Sequence, residues 1–161
     1  MISEITVKMI AYSNGNLHDV NHFLKVYSFA KTIGEQEKLP QDLQMTLEIA
    51  ALVHDIACPL CREKYGNTNG KYQELEGGAL ANELLKDMGL SKEMLDRVVF
   101  LVSHHHTYTD VDNIDYQILL EADYLVNACE SEYSQANIKN TLSSLFKTKT
   151  GKALLESMYL R

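Results

Sequence analysis

Residues Ala50–Ala57, Ala-Ala-Leu-Val-His54-Asp55-Ile-Ala, constrain this chain more than any other stretch. An apolar run delivers a histidine and an aspartate side by side and breaks at Cys58-Pro59. Ile49, Leu52, Val53 and Ile56 recur at helical spacing, so the stretch reads as the buried end of a helix. One turn back there is only Ala50, Ala51 and Leu52, so no neighbour on that helix pairs with either polar group. Burying an unpaired carboxylate costs several kcal/mol or forces its neutralisation. A partner must therefore come from elsewhere in the fold. A metal ion is the simplest one, because imidazole and carboxylate are both good ligands of first-row metals.

Two more residues pose the same problem. Asp123 has Leu119, Leu120 and Val126 one turn away on an otherwise apolar stripe, and His22 lies one turn before Val26 on another. His22, His54, Asp55 and Asp123 thus come from three helices, each interrupting an apolar face. Two imidazoles and two carboxylates suit one divalent Mn, Fe, Co, Ni or Zn ion with room left for water or substrate.

Around these residues the chain reads as helices throughout. The segments are Met1–Tyr12, Leu17–Lys38, Gln41–Ile56, Tyr72–Met88 closing on Gly89, and Ser91 running into His104-His105-His106. Asn113–Ser131, Gln135–Phe146 and Lys152–Leu160 follow. Cys58–Gly70 reads as irregular, with Gly66–Gly70 a loop by composition. No alternating strand pattern occurs, so the fold class is all-α, roughly six to eight helices in one domain over residues 1–161. The metal-binding core is expected at about 17–130, with further helices over 131–161.

Charge and apolar content narrow the partners. The net charge is −7 with no Lys/Arg block, which argues against binding a nucleic-acid polymer. No signal peptide is read, and no apolar run approaches the roughly 20 residues of a membrane helix. Three cysteines without a secretion signal lead to reduced thiols and a cytoplasmic location as the expectation. Cys58-Pro-Leu-Cys61 has no second CxxC, so two ordinary reduced cysteines are expected. His18, at the start of its helix, is read as at most a pocket-rim residue.

His22, His54-Asp55 and Asp123, in this order and spacing, resemble the H…HD…D signature of the HD superfamily of metal-dependent phosphohydrolases. His22-Phe-Leu-Lys25-Val26, Gly78-Ala79-Leu-Ala and Glu121-Ala-Asp123-Tyr-Leu-Val-Asn127 extend the resemblance over about Asp19–Asn127. It implies a compact helical bundle, one divalent metal on those four residues, and hydrolysis of a phosphomonoester or phosphodiester. The substrate would be a small phosphorylated metabolite or nucleotide, with Lys25 or Arg62 balancing phosphate charge. The alternatives are a ligand-binding or regulatory module without turnover and a di-iron oxygenase.

Relatives with two metals supply further histidines. Consecutive helical residues point about 100° apart, so His104 is the best candidate and His105 the second, while His106 reads equally as a ligand or as a residue capping the helix end. Such relatives also place a histidine four residues before the Gly-Ala pair. Counting from Gly78 gives Glu74, a weak ligand for a second metal with Asp55 and His104, or a general base. A single tight metal is therefore expected. The pocket should open between Leu17–Lys38, the Cys58–Gly70 stretch and the His104 corner, with Gly66–Gly70 as its lid. A homodimer is compatible with these features.

Overall fold

The computed structural model describes all 161 residues. It is all-α, as expected, with nine helical segments: α1 (Ile2–Tyr12), α2 (Leu17–Gln36), α3 (Gln41–Val53), α4 (Cys58–Tyr65), α5 (Gly70–Leu85), α6 (Lys92–Val102), α7 (Ile114–Glu130), α8 (Gln135–Ser144) and α9 (Lys149–Tyr159). Eight result if α3 and α4 are taken as one helix broken by the His54–Ala57 turn.

Helix α3 is the centre. Every residue from Thr46 to Val53 is buried, because α1, α2, α6 and α7 all pack on it. Gln41–Tyr65 together is long and apolar enough by composition to cross a membrane, contrary to the expectation from the sequence. Its apolar window is 67% buried inside the bundle, as befits a core helix. Polar side chains start the surrounding helices. Asn16 accepts from the Asp19 amide at the head of α2, and Ser91 accepts from the Met94 amide at the head of α6.

The Cys58–Gly70 stretch is not irregular. Cys58–Tyr65 is helical because Pro59 falls in the first turn, where its missing N–H costs nothing. Gly66 then ends the helix in the left-handed conformation (φ 72°). Helix α5 begins at Gly70 and lies on α6 through Gly77. A Cβ there would come within 2.8 Å of Val102, so only glycine permits this approach.

The head of the last helix is held by one buried carboxylate. Glu121 of α7 accepts from the backbone N–H groups of Lys147 (2.7 Å) and Thr148 (3.0 Å) and from the Thr148 hydroxyl (2.5 Å). Thr148 is itself the N-cap of α9. The charge therefore sits at a helix N-terminus, where unpaired amides and the helix dipole favour it.

Candidate metal centre

The four residues singled out in the sequence converge. His54 and Asp55 stand in the turn where α3 ends, His22 on the inner face of α2, and Asp123 midway along α7. His22 Nε2 lies 3.2 Å from His54 Nε2, 3.1 Å from Asp123 Oδ1 and 3.2 Å from Asp55 Oδ2. His54 Nε2 is 3.5 Å from both Asp55 Oδ1 and Asp123 Oδ1. His22, His54 and Asp123 are buried, while the Asp55 side chain is 24% exposed.

The outer nitrogens of these rings decide what the inner ones offer. His54 Nδ1–H donates to the Ala51 carbonyl (2.7 Å), and His22 Nδ1–H donates to the Glu130 carboxylate (2.8 Å). With Nδ1 carrying the hydrogen, a neutral ring presents a lone pair at Nε2. Two such lone pairs facing each other and two carboxylates repel unless something positive stands between them. In the metal-free protein that charge is a proton on His22. Burial opposes it, but Asp123, Asp55 and Glu130 prevail and raise the His22 pKa to about 10. Desolvation opposes ionisation of Asp123 and Asp55, but neighbouring imidazoles hold both carboxyls below the ordinary range. A divalent cation fits the place that the proton occupies.

A second group adjoins the first. Asp55, His105 and His106 bring one donor atom each within 4.8 Å of one another, as do His22, His54 and Asp123. His105 is wholly buried. Its Nδ1–H donates to the Val102 carbonyl (2.7 Å), and its Nε2 lies 3.3 Å from Asp55 Oδ1. His106 Nε2 is 3.0 Å from Gln73 Oε1, and burial together with the neighbouring His105 lowers its pKa to about 4.

Three assignments from the sequence change here. His104 does not face the cluster: its ring stacks on Phe100 (4.0 Å between centroids) and its Nδ1–H donates to the Phe100 carbonyl. Helix α6 ends at Val102, so the 100° spacing no longer governs the Ser103–His106 turn, and His105 and His106 turn inward instead. Glu74 is also away from the cluster. Its Oε1 accepts from the His106 amide (3.0 Å) and the Thr107 hydroxyl (2.8 Å), holding the turn that carries the histidines. The α5 residue at the site is Gln73, four before Gly77, which the count from Gly78 missed by one position. Gln73 Oε1 lies 3.1 Å from His105 Nε2, and its amide donates to the Thr68 carbonyl (2.7 Å).

The groups open into a cavity of about 190 Å³ lined by α2, α4, α5, the histidine turn and the end of α7, close to the expected position. Thr68 places the Gly66–Gly70 loop on its wall, and Gly70 packs against the His106 ring. Arg62 reaches this cavity but forks onto Asp19, with contacts of 2.8 and 2.5 Å. Lys25 is not on the lining. Its side chain is over half exposed, with the ammonium 3.9 Å from the far oxygen of Glu130. His18 is an exposed rim residue, 3.6 Å from Glu130. Cys58 lines the cavity as a free thiol whose pKa is pushed up, first by burial and then by Asp55. A larger cavity, about 650 Å³, lies between Met1, α3 and Arg97, away from both ligand groups.

Comparison with known proteins agrees with this geometry. The HD domain family matches residues 19–128. The crystal structure of a predicted HD superfamily hydrolase from an uncultured Thermotogales bacterium superposes with a TM-score of 0.71. That match is 25% identical in sequence and covers 98% of this chain and 84% of that one. No curated protein matches. His22, the His54-Asp55 pair and Asp123 all fall inside the matched span, so the chain belongs to the HD domain family.

Proposed function

We propose that this protein is a metal-dependent phosphohydrolase acting on a small phosphorylated substrate. The observation that carries the reading is the convergence of the Nε2 atoms of His22, His54 and His105 on Asp55 and Asp123, each Nδ1 tied to an acceptor outside the cluster. Imidazoles oriented in this way by their outer nitrogen are those of a built metal site.

His22, His54, Asp55 and Asp123 would hold one divalent ion of the Mn, Fe, Co, Ni or Zn type. Asp55, His105 and His106 would hold a second more weakly, since Gln73 offers an amide where an imidazole would strengthen the site. Bound metal supplies a water of lowered pKa and a Lewis acid at the phosphoryl oxygen. The side chains also set what can enter. Asp19, Asp55, Asp123 and Glu130 line the cavity, and its one arginine, Arg62, is already paired with Asp19. A phosphate is repelled from such a wall until a cation is in place. Arg62, released from Asp19, then has the planar fork that suits phosphoryl oxygens. Hydrolysis joins a water oxygen to phosphorus, breaks the ester P–O bond, and leaves the alcohol with the proton. A second site one imidazole short favours this chemistry over oxygenation.

The test is metal analysis of the purified protein followed by a panel of phosphomonoesters and phosphodiesters. Metal-dependent phosphate release, abolished together with metal retention in Asp55→Ala, is the expected result. Activity that survives Asp55→Ala would place the chemistry elsewhere.

A further inference from the structure

A groove of about 440 Å³ lies between α2, α7 and α9. Its walls are apolar: Phe29 from α2, Leu125 and Val126 from α7, and Met158 and Tyr159 from α9. Helix α7 thus serves two cavities. Asp123, Asn127 and Glu130 line the metal cavity, whereas Leu125, Val126 and Cys129, set off around the helix, line this groove. Its volume and its largely apolar lining are those of small-molecule sites, which span roughly 300–1,000 Å³.

One charged residue stands on this lining. Lys25, expected from the sequence at the phosphate, is here instead. Its ammonium makes no hydrogen bond within the protein, and Glu130 Oε1, 3.9 Å away, is beyond hydrogen-bond reach. Glu130 is engaged through its other oxygen, which accepts from His22 Nδ1–H (2.8 Å). The Tyr159 hydroxyl donates to the Leu125 carbonyl (2.5 Å), so its ring and not its hydroxyl is what the groove receives. Cys129 adds a free thiol, a weak hydrogen-bonding group. Met158 is 42% exposed, and its unbranched thioether adapts to whatever lies against it. An occupant therefore meets hydrocarbon along the walls and one ammonium with free donors.

From the apolar walls and the single free cation we infer that this groove binds a hydrocarbon monocarboxylate of the fatty-acid type, its chain along Phe29, Leu125, Val126 and Met158 and its carboxylate on Lys25. The body must lack polar atoms because the walls offer them no partner, and polar groups buried without one cost free energy. The head must carry a single negative charge. Lys25 is one cation with Glu130 beside it, and the chain carries −7 overall, so a dianionic phosphate head is disfavoured. This inference is independent of the phosphohydrolase reading.

Cys129 is the reporter for the test, since it lines the groove and is exposed, whereas Cys58 and Cys61 are buried. Its alkylation by iodoacetamide is followed by peptide mass spectrometry in the presence of decanoate below its micelle concentration. Decanoate should slow the reaction saturably. Octanoate, two methylenes shorter, should need about 5- to 15-fold more ligand, since each buried methylene is worth about fourfold. Lys25→Gln should raise the half-saturating decanoate concentration about 3- to 10-fold. Met158→Asp, a carboxylate at an exposed position on the wall, should abolish protection, and decyltrimethylammonium, with the opposite head charge, should give none. Equal protection by both head charges, or protection unaltered in Lys25→Gln, overturns the carboxylate assignment. Absence of saturable protection overturns the site. Slowing that follows protein concentration alone, without decanoate, means that a second copy covers the groove and overturns it as well.

Discussion

Glu130 does not touch the candidate ion, yet metal affinity should depend on it. Its Oε2 accepts the His22 Nδ1–H at 2.8 Å, which fixes the tautomer and aims Nε2 at Asp55 and Asp123. A hydrogen bond to a charged acceptor contributes about 1.5–3 kcal/mol, and losing such an outer partner typically weakens metal binding about 10- to 100-fold. The Glu130 side chain is 15% exposed, so water can partly replace it, which favours the lower half of that range. Glu130→Ala should therefore weaken the first metal about 10- to 30-fold, and Glu130→Gln, which keeps an acceptor without the charge, about 3- to 10-fold. One effect works the other way. Glu130 helps to raise the His22 pKa, so its removal also makes the competing proton easier to displace. The deficit should consequently be larger at pH 9 than at pH 7. Chelator-buffered metal titrations of wild type and both variants at the two pH values provide the measurement. Affinities within twofold of wild type for both variants would show that His22 needs no outer partner.

Metal uptake should release a proton from His22, so affinity rises roughly tenfold per pH unit between pH 7 and 9, as read by the same titrations. The His22 pKa is raised above its ordinary 6.5 to about 10, so its contribution to metal-free stability is full below 6.5 and is lost as pH rises through 10. Denaturant melts of the metal-free protein across that window check this, and stability that increases toward pH 10 would contradict it. Gln73→His adds an imidazole beside Asp55, His105 and His106, and two metal equivalents per chain should then survive dialysis; an unchanged stoichiometry would remove those residues from the second site. Gly151→Ala drives a methyl group into the Glu121 carboxylate and should cost about 1–3 kcal/mol in urea unfolding.

The four candidate ligands His22, His54, Asp55 and Asp123 were legible because each is a lone polar residue on an apolar stripe, where burial leaves few explanations. Gln73 gave no such signal. It stands beside Glu74 and close to Glu76 on a helix with polar residues on several sides, and only the packing of Gly77 on Val102 reveals which side faces inward. The histidine triplet failed for a different reason. Helical geometry was carried past Val102 into a turn held by Glu74 and by the Tyr116 hydroxyl on the His104 and Thr107 carbonyls, none of which a local pattern contains. Helix α4 was obscured by Pro59, a residue that starts helices as readily as it ends them. The bundle itself was readable because the periodicity of α2, α3 and α7 is strong and their contacts follow from it.

Glu121 and Asp123 stand two residues apart on α7, one gripping the head of α9 and the other aimed at the His22–His54 cluster. Translation proceeds from the N-terminus, so α7 leaves the ribosome before the segment that satisfies Glu121 has been made. For that interval the nascent helix carries a carboxylate whose partners do not yet exist, and the seating that aims Asp123 would lack its anchor to α9. An ion arriving early would find His22, His54 and Asp55 without their fourth partner. Binding of an ion at that site would therefore follow the docking of Thr148, and cells starved of metal should accumulate a folded apoprotein instead of a stalled intermediate.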